Sequence, residues 1–255
     1  MGVGKEIDDH RGTDSPASNI PHPMKARDWD KLAAAYEAEV CDIFVRDRRQ
    51  VITRWLKTSG LLRGRKTLLD VGCGIGSFVK KYGRHFGAKT GTDHSRRMLR
   101  IAARRCRSLP DCAWLQADVQ ALPSSLHDRG DLVVCSNVVT FVSAAACHRA
   151  MKQVARCARS GGALMFILPA LESHDAVVAL ETGHARPKRG ATAIVRRDDR
   201  MQRFYTGEGA HQLAARAGLR TVQVRKVWYP WADEGITPAP RGLELPWDWL
   251  VTARR

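Results

Sequence analysis

One short segment, LLDVGCGIGSF at residues 68–78, constrains the possible fold of this chain more than any other. It begins as an apolar stretch that carries a single acid, which predicts a buried strand. Glycines then follow at positions 72, 74 and 76, as expected for a tight turn whose backbone approaches a ligand. A helix can begin at Ser77, and its first free N–H groups would point back at the turn. A strand, a glycine turn and a helix in this order predict a cradle for a nucleotide.

The elements that follow the turn predict the fold class. Apolar runs alternate with helical patterns, and the runs lie near residues 88–92, 113–116, 131–136 and 163–168. The helical patterns between them cover about 77–86, 95–107 and 144–159, the last ending at a Ser-Gly-Gly stop signal. Such alternation predicts an α/β fold with a doubly wound, mostly parallel sheet and helices on both faces. Two final apolar runs, 221–228 and 249–253, predict an antiparallel edge hairpin that completes seven strands.

The domain organisation follows from where these patterns stop. Residues 1–25 lack periodicity and are rich in Gly, Pro, Ser and Asp, so we expect a disordered N-terminal segment. Residues 26–255 form a single predicted domain, in which 26–60 is a helical cap before the first strand. Residues 170–205 interrupt the alternation with an apolar helical patch and then a basic loop, and we interpret them as a lid or substrate insertion.

Composition excludes some classes of protein and leaves others open. No apolar run is long enough to span a bilayer, and the polar N-terminus does not resemble a secretory signal, so we expect a cytoplasmic protein without a membrane partner. The seven cysteines are never spaced C-x-x-C, which argues against a metal site. A net charge of +16 fits either an acidic partner such as RNA or a solvated surface. The arginines are spread along the whole chain, which favours the solvated surface.

Acids at the predicted strand ends indicate which nucleotide the cradle takes. A dinucleotide turn would need a glycine at Ser77, and Asp70 would repel a pyrophosphate. Asp93 follows the second strand, where a carboxylate can accept hydrogen bonds from ribose hydroxyls. Asp118 follows the third strand and can accept from an exocyclic amine such as that of adenine. Together they predict a ligand with a positive group, a ribose and an adenine, but no phosphate.

Five segments with these spacings give the chain a clear resemblance to a known family: 68–78, 92–99, 116–123, 131–139 and 159–167. It resembles the class I, Rossmann-like S-adenosylmethionine-dependent methyltransferases, and in particular the small-molecule type 11 group. The resemblance implies S-adenosyl-L-methionine as the cofactor. It also implies that cofactor-binding residues lie along the strand ends, namely Asp70, Gly72, Cys73, Gly74, Gly76, Asp93, His94, Asp118, Val119, Ser136 and Asn137. Trp29 and Tyr36 become candidates to close over the cofactor, although core packing is the favoured explanation of their helical spacing.

The acceptor is less well defined by the sequence. The segment after the fourth strand, Ser136 to Val139, lacks the prolines of DNA amino-methyltransferases, and no Pro-Cys pair occurs. We therefore expect a small-molecule acceptor, and the basic residues of the insertion would favour an anionic one (Arg186, Lys188, Arg189, Arg196, Arg197). An RNA or protein methyltransferase, an NAD-dependent oxidoreductase and a non-catalytic nucleotide-binding protein remain alternatives.

Candidate general bases lie in the insertion. Glu172, His174 and Tyr205 carry suitable groups, but packing or surface roles are favoured for each. A base is needed only for a protonated acceptor atom. The catalytic residue and the oligomeric state are therefore left unassigned.

Overall fold

The computed structural model describes residue 30, residues 42–185, 190–197 and 200–255, with the side chains of Arg197 and Arg200 left undescribed. The expectations for residues 1–25, Trp29 and Tyr36 lie outside these residues. The described helices are α1 (Ile43–Arg46), α2 (Val51–Thr58), α3 (Ser77–Tyr82), α4 (Arg96–Arg105), α5 (Ala144–Cys157), α6 (Leu171–Thr182) and α7 (Gly207–Arg216). The strands are β1 (Leu68–Val71), β2 (Lys89–Asp93), β3 (Cys112–Gln116), β4 (Gly130–Ser136), β5 (Ala158–Pro169), β6 (Thr192–Arg197), β7 (Arg200–Tyr205), β8 (Arg220–Trp228) and β9 (Trp247–Arg254).

Seven strands form one sheet in the order β3-β2-β1-β4-β5-β9-β8. The first five are parallel, whereas β9 is antiparallel to both of its neighbours, β5 and β8. This confirms the predicted α/β fold and its antiparallel C-terminal edge. The chain winds outward from β1 to β3 and then returns to β4, so the strand order reverses between β1 and β4. In sheets of this kind, ligands bind beyond the carboxyl ends of the strands at that reversal.

Two hydrophobic cores fill the two faces of the sheet because the strand side chains alternate between them. On one face, Leu68 and Val134 pack with Ile52 of α2 and Phe78 of α3. On the other face, the alternate strand residues pack with α5 and α7. β1 is buried along its whole length, so the acid within it is buried as well.

Side-chain caps define where three of the helices begin. Ser95, Ser143 and Thr206 each accept a hydrogen bond from the backbone N–H three residues later, at the starts of α4, α5 and α7. Such caps satisfy N–H groups that have no partner inside the helix. The cap at Ser95 matters most for the site, because it fixes the segment that follows β2.

The predicted end of the helix over 144–159 is wrong. Helix α5 stops at Cys157, and the Ser-Gly-Gly run at 160–162 lies inside β5. Ala158 pairs with Gly130, and the register between β4 and β5 then shifts before Leu132. Gly161 has φ +71°, and a Cβ at Gly162 would lie 2.7 Å from the Gly130 carbonyl oxygen. These glycines therefore permit an irregular strand start rather than a helix end.

The insertion after β5 also differs from its prediction as a helix followed by a loop. It contains α6 and then a separate antiparallel hairpin, β6–β7. Val195 and Phe204 of the hairpin pack on Leu171 of α6 in a small apolar cluster. The hairpin meets α7 closely, since a Cβ at Gly209 would lie only 1.9 Å from the Ala191 carbonyl oxygen. The described parts of the insertion, α6 and the β6–β7 hairpin, thus pack together at the carboxyl end of β5.

Candidate cofactor and acceptor site

The glycine turn between β1 and α3 has left-handed backbone geometry at three positions. The φ angles of Gly72, Gly74 and Gly76 are +69°, +52° and +77°, a region that other residues enter only at a cost. A Cβ on Gly72 would lie 2.2 Å from Cγ2 of Val138, in the segment that follows β4. The turn is therefore packed directly against the end of the neighbouring strand, and glycine is required for that approach.

Asp70 is a buried carboxylate at the start of this turn. Its exposed fraction is 2%, and its Oδ2 has no hydrogen-bond partner among the described residues. Burial, with smaller contributions from the nearby charges of Asp93 and Asp42, raises the pKa of Asp70 to about 8. A buried anion without a partner is unfavourable. The site therefore lacks one positive group, and a ligand ammonium would supply it.

This geometry predicts how cofactor affinity depends on pH. Only ionised Asp70 attracts an ammonium, so the affinity for S-adenosylhomocysteine should rise, by at most about tenfold per pH unit, as pH approaches 8. It should fall again once the ligand amine loses its proton. Calorimetry in buffers of different ionisation enthalpy should detect nearly one proton released on binding at pH 7. A pH-independent affinity between pH 6 and 8 would contradict the assignment.

Asp93, at the end of β2, holds the turn and the next helix together. Its Oδ2 accepts from the N–H of Gly74 and its Oδ1 from the N–H of Ser95, both at 2.9 Å. Ser95 Oγ in turn donates to the carboxylate of Asp30. Burial raises the pKa of Asp93, and these backbone hydrogen bonds oppose that rise. Asp93 therefore positions the turn, and its remaining lone pairs are what a ribose hydroxyl would use.

Cys73 lies within the turn, and its N–H donates to the Thr92 carbonyl oxygen at 2.8 Å. Burial raises the pKa of its thiol well above the usual range. The side chain is therefore a neutral thiol, and its backbone joins the turn to β2.

The residues predicted near the adenine follow β2 and β3. The His94 carbonyl oxygen accepts from Nε2 of Gln116 at 2.8 Å, which ties the two strand ends together. Asp118 is exposed, and its Oδ1 caps the short 3-10 turn at 119–121 by accepting from the N–H of Gln120 at 2.8 Å. Val119 is buried. His94 therefore lies one strand away from β1, and Asp118 and Val119 lie two strands away, on the same side of the glycine turn.

Ser136 and Asn137 end β4 on the other side of β1. Asn137 has φ +54°, and its N–H donates to the Ile167 carbonyl oxygen at 2.9 Å. Its Nδ2 lies 3.4 Å from Oδ2 of Asp248, near the start of β9. Sequence reasoning did not single out Asp248. Its position between two tryptophans in the last strand was the available signal, since an acid there interrupts an otherwise apolar run.

The three candidate bases of the insertion all have packing or structural contacts. The Tyr205 hydroxyl is buried and donates to the Val139 carbonyl oxygen at 2.6 Å, and burial strongly raises its pKa. Glu172 Oε1 accepts from the N–H of Gly207, at the start of α7. The His174 ring packs against Phe204, with the ring centroids 5.1 Å apart. None of these contacts marks its residue as a base.

Replacing Tyr205 by Phe tests this interpretation. We expect a loss of about 1 kcal/mol in the free energy of unfolding, because the Val139 carbonyl would lose its buried donor. Cofactor affinity and turnover should stay close to wild type. Urea denaturation and an activity assay would measure the two effects, and a loss of turnover at unchanged stability would restore Tyr205 as a candidate base.

Part of the chain matches a known family model, and several solved structures have a similar fold. Residues 68–162 match the family model described as a methyltransferase domain. The N-methyltransferase NodS from Bradyrhizobium japonicum WM9, solved with S-adenosyl-l-homocysteine, has a TM-score of 0.60 at 16% identity, covering 90% of this chain and 97% of that one. A Burkholderia thailandensis 1,6-didemethyltoxoflavin-N1-methyltransferase gives 0.63 at 14% identity, covering 98% of both chains. The [4+2]-cyclase SpnF gives 0.63 at 16% identity, covering 93% and 99%. A search of curated proteins finds no match.

The sheet order, the glycine turn and the domain match define a class I methyltransferase domain. Residues 68–162 therefore carry the match to a methyltransferase domain, and the whole chain is similar in fold to S-adenosylmethionine-dependent methyltransferases. The residues present suit this cofactor, because the buried carboxylate of Asp70, which has no partner among the described residues, calls for a cation, and the cofactor carries an ammonium group. Among the described residues, no helix is long and apolar enough to cross a membrane. The same residues contain no cluster of three or more His, Cys, Asp or Glu side chains able to hold a metal ion.

Proposed function

We propose that this protein transfers the methyl group of S-adenosylmethionine to a small-molecule acceptor bound at the carboxyl ends of β4 and β5 and the amino end of β9. The observation that carries the proposal is the buried, unpartnered carboxylate of Asp70 directly beneath the glycine turn. A pyrophosphate cofactor would leave this charge uncompensated and would be repelled by it. A cationic, phosphate-free adenosyl ligand would compensate it.

The cofactor-binding residues would act in four groups along the strand ends. Asp70 and the turn from Gly72 to Gly76, including Cys73 and Gly74, would hold the methionine part. Asp93 and His94 would hold the ribose, while Asp118 and Val119 would hold the adenine. Ser136 and Asn137 would lie beside the sulfonium end.

The cofactor, when bound, supplies an activated methyl group on a sulfonium. The protein's own contribution is then to hold the acceptor atom in line and to exclude water, and such alignment lowers the barrier by several kcal/mol. The insertion formed by α6 and the β6–β7 hairpin stands at the end of β5, where it would cover the acceptor. The Burkholderia thailandensis N-methyltransferase of similar fold, which was solved with bound 1,6-didemethyltoxoflavin, supports a small acceptor.

A second candidate acceptor is RNA, and one surface favours it. Helix α4 exposes arginines 96, 97, 100 and 104 in a chain of net charge +16. Arg96 is already engaged with Gln116, and a solvent-facing helix needs polar residues in any case. The small-molecule acceptor therefore remains the preferred proposal.

Methyl transfer to separated cell fractions distinguishes these acceptors. The protein would be incubated with methyl-labelled S-adenosylmethionine and either a small-metabolite fraction, total RNA or total protein, with the Asp70→Asn variant as the inactive control. The proposal predicts label in the small-metabolite fraction only. Label in RNA or protein would overturn the small-molecule acceptor, and binding without transfer to any fraction would indicate a non-catalytic or different activity, as the shared fold of the cyclase SpnF allows.

A further inference from the structure

A polar cavity lies between helices α2 and α3, and the residues that line it are separate from those of the cofactor site. Its volume is about 490 Å³, within the range of small-molecule pockets. Gln50, Thr53 and Lys57 line one wall. They are three and four residues apart, so they share one face of α2 and the residue that caps it. The opposite wall comes from the end of α3 and the 3-10 turn Gly83–His85 that follows it.

Hydrogen bonds hold the two walls of this cavity together. The hydroxyl groups of Thr53 and Tyr82 lie 2.8 Å apart and hydrogen-bond to each other across it. The Tyr82 ring is buried in the core, which anchors this contact. Nζ of Lys81 donates to the carbonyl oxygen of Phe44 in α1, and Val45, the next residue, lines the same cavity. The cavity is therefore formed before any ligand binds.

The walls carry an excess of positive charge. Lys57, Lys81 and Arg84 are exposed cations, and Asp47 is the one acid among the described residues that line the cavity, which leaves a formal excess of two positive charges. Oδ2 of Asp47 accepts from the N–H of Ile52 at 2.9 Å, so this carboxylate is engaged with the start of α2. In the part of the chain that the structure describes, none of the three cations forms an ion pair. A phosphomonoester, which carries about −1.5 to −2 charges at pH 7, matches this excess.

The donors on the cavity wall suit a phosphate group. Nε of Arg84 donates to Nε2 of His85 at 3.3 Å, and the terminal nitrogens of the guanidinium have no partner among the described residues. These two nitrogens form the planar fork that binds phosphate oxygens in pairs. Because His85 accepts at Nε2, its proton lies on Nδ1, which is a further donor. Lys81 keeps two of its three N–H groups beyond the one that binds Phe44.

The rest of the cavity suits an organic group. Val45 lines it with 67% of its surface exposed, which is unusual for a large apolar side chain in this protein. Leu62 also lines the cavity and is half-buried. A ligand that covers these two side chains gains from removing apolar surface from water. An inorganic anion alone would leave them exposed.

We propose that this cavity binds a small organic phosphate, a phosphomonoester whose phosphate group is held by Lys57, Lys81 and Arg84 and whose organic part covers Val45 and Leu62. The proposed site is independent of the proposed methyl transfer, because α3 begins at the glycine turn and the cavity lies at its other end. It also differs from the anion site expected in the insertion.

RNA would bring the same phosphate chemistry, but the shape of the cavity favours a small molecule. A single strand is bound along a basic groove that follows several successive phosphates, with aromatic side chains for the bases to stack on. Here three cations surround one compact cavity, and the one aromatic ring of the amino acids Phe, Trp and Tyr that lines it, Tyr82, is buried. RNA binding is therefore an outcome that the test must distinguish.

The test is ligand-observed NMR on the full chain, with and without saturating S-adenosylhomocysteine. Phenyl phosphate and glucose 6-phosphate would be compared with phenol, glucose, inorganic phosphate and an oligouridylate. The variants are Lys57→Gln and Arg84→Gln, which remove exposed cations from opposite walls. The matched controls are Arg54→Gln on α2 and Lys80→Gln on α3, which remove equally exposed cations that do not line the cavity.

We expect at least one phosphomonoester to bind about tenfold more tightly than inorganic phosphate, with no measurable binding of its neutral parent. Lys57→Gln and Arg84→Gln should each weaken that binding by about fivefold, as expected for the loss of a charge-assisted contact at an exposed site. Both controls should stay within about twofold of wild type, although they change the net charge equally. Saturating S-adenosylhomocysteine should leave the affinity unchanged.

Four results would overturn the inference. Equal affinity for inorganic phosphate and for both esters would indicate an adventitious ion only. Equal losses in the control and cavity variants would indicate a general effect of net charge. Displacement of the ester by S-adenosylhomocysteine would place it in the cofactor site. Tighter binding of the oligouridylate, lost in the same two variants, would instead identify a nucleic-acid surface.

Discussion

Replacing Asp70 by Asn is expected to weaken S-adenosylhomocysteine binding by about 100-fold and, at the same time, to stabilise the unliganded protein at pH 8.5. The binding loss follows from removing the buried carboxylate that we propose faces the ligand ammonium, a contact that would be worth roughly 3 kcal/mol. Calorimetric titration would measure the affinity. Differential scanning calorimetry without ligand would measure the melting temperature.

The unliganded variant gains stability because the ionised carboxylate of Asp70 destabilises the folded protein when no ligand cation is bound. The pKa of Asp70 is about 8 in the folded protein and near 4 in the unfolded chain. The penalty is absent below pH 4, grows as pH rises from about 4 to 8, and is complete above 8. The buried amide carries a cost of its own, so we expect a net gain of ~2 kcal/mol, or about 5 °C in Tm, at pH 8.5. At pH 4 the gain should vanish.

Asp131→Asn is the matched control for this pair of effects. Its carboxylate lies on the same sheet but accepts from Thr67 and pairs with Arg159, away from the turn. It should lower the melting temperature slightly and leave cofactor affinity unchanged. An Asp70→Asn variant that loses stability at pH 8.5 and binds cofactor normally would show that Asp70 is a structural residue only.

Replacing Asp93 by Ala should produce the second large effect. The change removes the acceptor of two backbone N–H groups, those of Gly74 and Ser95, as well as any bond to a ribose hydroxyl. We expect cofactor affinity to fall by about 30-fold or more and the free energy of unfolding to fall by about 2 kcal/mol. Calorimetric titration and urea denaturation would measure these two losses.

Asp93→Asn separates the two roles of Asp93, which are to accept the backbone hydrogen bonds of the turn and to bind a ribose hydroxyl. The amide keeps one acceptor oxygen, so part of the turn geometry should survive while the charge is lost. Asp118→Ala serves as a further control, because Asp118 is exposed and caps only a short turn. Its loss should cost cofactor affinity much less than that of Asp93. Wild-type affinity in Asp93→Ala would remove Asp93 from the site.

Much of the fold follows from local patterns in the sequence. The glycine turn, the buried strands and their alternation with helices are encoded within a few residues each, so β1 to β5 are predictable in number and order. The antiparallel edge is predictable because two apolar runs follow one another without the helix that a parallel crossover needs. The start of β5 and the end of α5 were mispredicted because Gly161 and Gly162 can either end a helix or lie in an irregular strand. Only the pairing of Ala158 with Gly130 decides between these two possibilities.

The site is predictable only where its residues follow a strand directly. Asp70 and Asp93 stand at strand ends with glycines nearby, and their spacing suggests a role. Their partners depend on packing, as the hydrogen bonds from Gly74 and Ser95 to Asp93 show. The meeting of Asn137 and Asp248 depends on the register of β9 against β5, which joins residues far apart in the chain. No local pattern carries that information.

A binding cycle with two ligands tests the role of Asp70 most directly. Wild type and Asp70→Asn would each be titrated with S-adenosylhomocysteine and with 5′-methylthioadenosine, which keeps the adenosyl group but lacks the ammonium. We expect the substitution to weaken the binding of S-adenosylhomocysteine by about 100-fold and to change the binding of 5′-methylthioadenosine by less than about threefold. Equal losses of affinity for both ligands would contradict this role of Asp70, because the residue would then support the turn without binding the ammonium.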